Sequence, residues 1–250
     1  FPLNDVNIEN TKALEKKSLG QLKSILKDES EKVACLILEP IQGEGGDNHF
    51  RYEYLKELKT LSIENDFLLI YDEVQTGIGI TGKMWAHQHF CEPNCEIGCV
   101  SHCKLIEPDI ISFGKKTQCC GIFAGKRVDE VENNVFKESS RINSTFGGNL
   151  VDMVRFTIYL EIIKNENLVK LAAENGEYLL SQLLLLQENN NEIISNSRGK
   201  GLFCAFDLPS SKHRDNLIKY LEKEGALILG CGHRTIRFRP HLNITRENID

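Results

Sequence analysis

The sequence has no surplus of positive charge. Its 30 Lys and Arg stand against 36 Asp and Glu, a formal net charge of -6. Acids and bases are interleaved, so no broad basic surface exists, and nucleic acid is excluded as the main partner. No apolar run approaches the ~20 residues that span a bilayer, which excludes a membrane helix. No basic, apolar and small-residue order marks a secretory leader. Internal repeats and low-complexity tracts are also missing. Cysteine is not scarce, but its nine copies are odd in number, and Cys35 and Cys204 sit in apolar runs. Free thiols in a reducing, cytoplasmic setting are the expectation. What remains is an ordinary globular composition, 41% hydrophobic and 26% charged, in 250 residues. That length holds one large or two smaller domains. The chain opens on Phe1 rather than Met and stops just after Thr245-Arg246-Glu247, which reads as a helix start. A longer natural chain is expected.

The organising stretch is Phe67 to Gly82, FLLIYDEVQTGIGITG. Five apolar or aromatic residues run into Asp72 and Glu73, the pattern of a buried parallel strand ending in a working acid. Upstream, Thr11 to Lys27 predicts an amphipathic helix weakened at Gly20. Val33 to Leu38 predicts another buried strand, closed by Glu39-Pro40. A glycine-rich loop, Ile41 to Phe50, and a helix through Tyr54, Leu55, Leu58 and Leu61 lead into Phe67. This β-loop-α-β unit implies parallel strands and a right-handed crossover.

Downstream, Met84 to Phe90 predicts a short helix. Asp109 to Phe113 predicts a third strand, ending at Gly114-Lys115-Lys116, and Ile122 to Ala124 a fourth. Two helices follow, about Leu150 to Ile163 and Leu168 to Gln187. The tail predicts strand Leu202 to Asp207, helix Lys212 to Glu224, and strands Ala226 to Leu229 and Thr235 to Phe238. The fold class is α/β, divided into a large domain over residues 1–165 and a linking helix with a small domain over 166–250.

Three chemistries compete for the centre. Gly77, Gly79 and Gly82 spell G-x-G-x-x-G after a strand, but Val74, Gln75 and Thr76 intervene and no strand-end acid follows about 20 residues on. Gly77 to Met84 nearly spells a phosphate loop, with Met84 where Ser or Thr must bind magnesium. The third uses more of the chain. Asp72 ends one strand and Lys115 another, so both face one crevice. A buried carboxylate beside a lysine suits pyridoxal phosphate: the lysine forms a Schiff base, and the aspartate pairs with the protonated pyridine nitrogen. Alone, either residue reads as an ordinary strand-end or loop group. With Gln75 and the polar turn at Asn143 to Thr145, the cofactor reading prevails.

Long motifs in the same order then carry a resemblance. EPIQGEGGDNHF (Glu39 to Phe50), DEVQTG (Asp72 to Gly77), FGKKTQ (Phe113 to Gln118), NSTFGGN (Asn143 to Asn149) and IRFRP (Ile236 to Pro240) resemble the class-III aminotransferases. FGKKTQ, GKRVDEVENNVF and RINSTFGGNLVDMVR are most similar to the family branch acting on the ε-amine of lysine; GGDNH, WAH and IRFRP are shared with the 4-aminobutyrate branch. The resemblance implies a fold-type-I transferase, with a central, mostly parallel sheet, helices on both faces and a small C-terminal α/β domain. It implies L-lysine and 2-oxoglutarate as substrates, 2-aminoadipate 6-semialdehyde and glutamate as products, pyridoxal 5'-phosphate as cofactor, and a homodimer with active sites at the subunit interface.

Residue by residue, it implies that Lys115 forms the Schiff base and moves the proton, with Lys116 a neighbour lacking that role. Asp72 pairs with the pyridine nitrogen, Gln75 bonds the phenolic oxygen, and Val74 packs on the ring. Thr145 holds the phosphate of the partner subunit's cofactor. Arg237 grips the keto acid's carboxylate, and Glu44 pairs with Arg237 and swings away when that acid arrives. The family's N-terminal portion, which carries the phosphate turn, the stacking aromatic and the arginine for lysine's carboxylate, has no counterpart here; an inactive fragment is the alternative expectation. One stretch departs from the family: Cys91, Cys95, Cys99 and Cys103, near His87, His89 and His102. Four thiolates suit zinc or an iron–sulfur cluster. The spacing is not the usual C-x2-C, and Pro93 and Gly98 oppose a helix that would align them, so no metal is assigned.

Overall fold

The computed structural model describes residues 8–29, 32–90, 106–142 and 144–250. A first helix, α1 (Ile8–Glu29), runs through Gly20 without a break. Strands β1 (Cys35–Leu38), β4 (Leu68–Asp72), β5 (Ile110–Phe113) and β6 (Gly121–Ala124) form one sheet in the order β1-β4-β5-β6. The first three are parallel, and β6 returns antiparallel to β5. Helix α2 (Tyr52–Glu64) makes the crossover from β1 to β4, as a parallel pair requires. Its Leu55 and Leu58 are buried in one core with Leu69 and Tyr71 of β4.

In β4 the side chains alternate between buried and half-buried, so one face is covered more tightly than the other. Leu69 and Tyr71 share the buried face, and the next residue on it is Glu73, fully buried. Asp72 lies on the other face and is half-buried, not fully buried as the apolar run predicts. At the sheet's β1 edge, Ile37 is 60% exposed. A buried ion cluster ties the sheet together from behind. Asp109, just before β5, accepts from Lys59 Nζ at 2.7 Å, from Arg127 at 2.9 Å and from the Leu69 amide at 2.8 Å.

Between Glu39 and Phe50 the predicted loop contains a two-stranded hairpin, β2 (Ile41–Gln42) with β3 (Asn48–His49). The predicted helix at Met84 to Phe90 is a single 3-10 turn, Ala86–His89. After β6 come a one-turn helix, α3 (Lys126–Asp129), and two long helices, α4 (Leu150–Asn165) and α5 (Leu168–Asn189). Asn149 caps α4, accepting from the Val151 amide at 2.9 Å. Helix α4 leaves Leu150, Val151 and Val154 more than half exposed.

The tail is a second sheet, β7 (Ser195–Lys200), β8 (Phe203–Asp207), β10 (Thr235–Phe238) and β9 (Leu229–Cys231), in that order and all antiparallel. Helix α6 (Ser211–Lys223) packs beside β9 and β10. Strand β7, SNSRGK, carries no apolar pattern and escapes sequence reading. The strand predicted at Ala226 to Leu229 starts only at Leu229, and Thr245 to Glu247 forms turns rather than a helix.

The glycines of the central stretch serve packing. Gly79 and Gly82 have φ of +94° and +82°, where a side chain is strained. A Cβ on Gly82 would meet the Ala173 backbone of α5 at 2.9 Å, and one on Gly77 would meet Trp85 at 2.8 Å. The Leu202 amide then donates to the Ile80 carbonyl at 2.9 Å, joining this turn to the second sheet.

Candidate active site

Strand β4 ends at Asp72, whose register partner is Ser112, one residue short of the end of β5. Asp72 Oδ1 accepts from the Val74 amide at 3.0 Å and from Ser112 Oγ at 3.1 Å. The two bonds hold the direction of the carboxylate. The pairing continues past the strand ends, because the Lys115 amide donates to the Val74 carbonyl at 3.2 Å. Asp72 and Lys115 are thus carried by two neighbouring chain segments locked together through their backbones. Beyond β1, Glu39 accepts from the Gly43 amide at 2.9 Å. Burial, above all, pushes its carboxyl above the ordinary range, and the charge of Asp72 adds to this.

Two lysines face this region, and they differ. Lys115 is exposed, and its charge acts on both Glu39 and Glu44. Lys116 is half-buried, with Nζ 3.4 Å from the Pro240 carbonyl. Burial pushes the Lys116 amine down to about 8. Burial alone therefore points to Lys116 as the more easily neutralised amine, whereas the sequence resemblance points to Lys115.

Gln75, Lys115, Lys116, Arg237 and Arg239 line one cleft of about 220 Å³ between the two sheets. Above it, Glu44 forms an ion pair with Arg237 Nη1 and accepts from Gln75 Nε2 at 3.3 Å. The Arg237 hydrogen bond holds the Glu44 carboxyl below its ordinary range. The carboxylate is 64% exposed while the Arg237 side chain is only 11% exposed, so the pair sits at the mouth with its cation inside. Arg237 Nε is buried with no hydrogen-bond partner among the described residues. An arginine in that condition has unused donor capacity facing the cleft.

Arg239 is the opposite case. Its Nε donates to Gln75 Oε1 at 3.1 Å, Nη1 to the Phe238 carbonyl at 2.8 Å, and Nη2 to Asp47. Its guanidinium carbon lies 3.2 Å over the centre of the Phe203 ring. Asp47 is fully buried, with φ +50° in the β2–β3 turn, and burial outweighs its arginine partners to push its carboxyl up.

The hairpin bearing Glu44 is fastened to the second sheet. Arg198 of β7 donates to the carbonyls of Asp47 at 2.8 Å and Gly46 at 2.6 Å, and to Asp207 at 3.0 Å. The Gly232 amide donates to the Glu44 carbonyl at 2.8 Å. The backbone of Glu44 is fixed; its exposed side chain is what can rotate.

The structure therefore gathers Glu44, Gln75, Lys115 and Arg237 at one cleft, with Asp72 on the adjoining strand end. Thr145 stands apart, exposed on the loop before α4. The motifs already contained Asp47 (GGDNH) and Arg239 (IRFRP), but nothing in the sequence joined them to Gln75. Glu73 was also missed. It accepts from Thr76 Oγ1 at 2.8 Å, from the amides of Ala86 and His87 at 2.7 and 2.9 Å, and from His87 Nδ1 at 2.8 Å. Alternation along β4 could have flagged it, since Glu73 follows Leu69 and Tyr71 on the core face. The cysteine run from 91 to 103 lies outside the described residues. Among the described residues no cluster of His, Cys, Asp or Glu could hold a metal.

Comparison with known proteins agrees with this architecture. The family model described as aminotransferase class-III matches residues 1–250. The L-lysine-epsilon aminotransferase of Mycobacterium tuberculosis is 45% identical over 238 residues, covering 95% of this chain and 50% of its own length. The mitochondrial 4-aminobutyrate aminotransferase of Sus scrofa is 35% identical over 246 residues, covering 97% and 45%. A solved lysine aminotransferase from M. tuberculosis, in the internal aldimine form, superposes with a TM-score of 0.88 at 43% identity. That superposition covers 99% of this chain and 53% of the other. The chain spans about half the length of the relatives it matches. Motif order, a parallel sheet ending in Asp72 and the match along its whole length place the chain in one family: it belongs to the class-III aminotransferases.

Proposed function

We propose that this chain is the portion of a pyridoxal-phosphate-dependent aminotransferase that moves the ε-amino group of L-lysine to 2-oxoglutarate. The donor set fits the cofactor. A half-buried carboxylate with fixed direction, an exposed lysine on the adjoining segment and an amide with its nitrogen toward the cleft match a pyridine nitrogen, an aldehyde and a phenolic oxygen. When bound, the cofactor supplies an electron sink for the pair left on the substrate carbon as its proton departs.

The residues of the chain do the rest. Asp72 would hold the ring nitrogen through a short-range charge pair. Lys115 would hold the aldehyde through Nζ, and the same amine is the group placed to move a proton at the substrate carbon. Gln75 donates from Nε2. Thr145 holds the phosphate in a partner subunit. The exposed Leu150, Val151 and Val154 of α4, close in the chain to Thr145, support a homodimer.

The observation that carries the pairing of an ω-amine with a keto acid is the Glu44–Arg237 pair, and the motifs shared with the lysine branch select lysine as the amine. Lysine must enter amine first, whereas 2-oxoglutarate brings a carboxylate to the same place. Glu44 neutralises Arg237 for the first substrate and yields it to the second, because one carboxylate can replace another on a guanidinium. Arg237 Nε, without a partner among the described residues, leaves room for a second bond when that exchange happens.

The test is borohydride reduction of the chain mixed with cofactor, followed by peptide mapping, together with glutamate formation from 2-oxoglutarate. The expected result is a label on Lys115 and faster glutamate formation with L-lysine than with 4-aminobutyrate. A label on Lys116, or preference for 4-aminobutyrate, would overturn the corresponding assignment.

A further inference from the structure

We propose that Arg239 is a positioning residue that fixes which way the Gln75 amide faces, and through Gln75 holds Glu44 on Arg237. The inference rests on the reading above that Gln75 and Glu44 serve the site.

An amide presents an oxygen that accepts and a nitrogen that donates, and a half-turn exchanges them. Arg239 has only N–H groups to offer. Its Nε lies 3.1 Å from the Gln75 amide, so the amide oxygen must face it. The nitrogen is then turned toward Glu44 Oε1, 3.3 Å away. With the amide reversed, its N–H groups would face Arg239 and its oxygen would face an ionised carboxylate. Both contacts would be repulsive. One of the two Nε2 hydrogens serves Glu44, and the other is available to an acceptor in the cleft.

Arg239 is itself held against rotation. Asp47 takes Nη2, the Phe238 carbonyl takes Nη1, and the Phe203 ring lies beneath the guanidinium. Each of its three nitrogens has a partner, whereas Arg237 Nε has none among the described residues, so Arg239 is the fixed member of the IRFRP pair. The chain Asp47–Arg239–Gln75–Glu44–Arg237 thus starts in the β2–β3 turn, crosses to the second sheet, touches the turn after β4, returns to the β2–β3 turn at Glu44 and ends on the second sheet.

The test uses the 250-residue chain without cofactor or substrate, and reads the Glu44 carboxyl by carbon-13 NMR across a pH titration. Arg239→Lys keeps the positive charge beside Asp47 but removes the Nε donor to Gln75. We expect the Glu44 midpoint to rise by roughly half a unit, the scale of one weak, exposed hydrogen bond to a carboxylate. Gln75→Leu should give the same rise, and the double variant no more than either alone. Additive rises, or a rise with Gln75→Leu and none with Arg239→Lys, would overturn the proposal. Should Arg239→Lys fail to fold, the Gln75 side-chain amide in the unaltered chain decides. Slow proton exchange supports a held orientation; exchange at the rate of a free amide refutes it. Failure of the cofactor reading would appear in the Lys115 labelling instead, leaving the Glu44 titration intact.

Discussion

Replacing Glu73 with Gln changes one oxygen to an NH2 group and almost nothing in size. The structure nevertheless predicts a large loss of stability. Four groups face the carboxylate at hydrogen-bond distance: the Thr76 hydroxyl, the Ala86 and His87 amides, and His87 Nδ1. Each oxygen receives one backbone N–H, and a backbone N–H cannot reverse its role. Wherever the Gln NH2 is placed, it meets an N–H head-on. On the Oε2 side the Thr76 hydroxyl can turn and accept, but the Ala86 amide is left without a partner. One orphaned buried donor costs about 1–3 kcal/mol. The bonds that survive pass from charged to neutral and keep roughly half their strength. Together these give about 3–5 kcal/mol, a large share of the 5–15 kcal/mol typical of a folded domain. Urea unfolding of the two chains, followed by circular dichroism, measures the difference. A loss below about 1 kcal/mol would show that the carboxylate is not the tie that secures residues 73 to 87, and the reasoning would fail.

Further outcomes follow from the same geometry. Glu44→Ala should slow the lysine half-reaction more than the keto-acid half-reaction in single-turnover spectra; equal losses would end the exchange idea. Lys116 is charged against the pull of burial at neutral pH, since its folded value is about 8 against an ordinary 10.5. A depressed lysine is a penalty on the folded state, complete below pH 8 and relieved as pH rises toward 10.5. Lys116→Met should therefore stabilise the chain at pH 7, by on the order of 1–2 kcal/mol, and the gain should vanish above pH 10.5. A gain that persists in alkali would point to packing rather than charge. Lys59→Met should leave the buried Asp109 carboxylate with Arg127 as its remaining cationic partner. A loss of about 2–4 kcal/mol in thermal or urea unfolding is expected, and a neutral effect would mean that Arg127 alone suffices.

The strands of the first sheet were readable because their chemistry is simple. Phe67 to Tyr71 and Asp109 to Phe113 are apolar runs that stop at polar residues, and they form β4 and β5 within a residue or two. Strand β7 was not readable, because SNSRGK has no apolar face to announce it. It is held by pairing with β8, by the Ser197 amide on Gln187 at 2.8 Å and by the Arg198 bonds to Gly46 and Asp47, about which the strand's own residues say nothing. The candidate site divides the same way. Lys115 and Asp72 stand at strand ends, where a local rule finds them. Arg239 and Asp47 are 192 positions apart, and only the folded chain shows that they meet. The apolar run also suggested burial of Asp72, whereas alternation gives the fully covered place to its neighbour Glu73.

The fastening of the β2–β3 hairpin has a consequence for mechanical noise. Glu44 and Arg237 come from residues 193 apart, yet both are referenced to one frame, since Arg198, Gly232 and Arg239 bolt the hairpin to the sheet that carries Arg237. If the two sheets rock against each other, Lys115 shifts relative to both members of the pair together. The spacing of their backbones does not change. Breathing of the cleft therefore leaves the pair assembled, and rotation of the exposed Glu44 side chain is what parts it, a rotation that a carboxylate competing for Arg237 would favour.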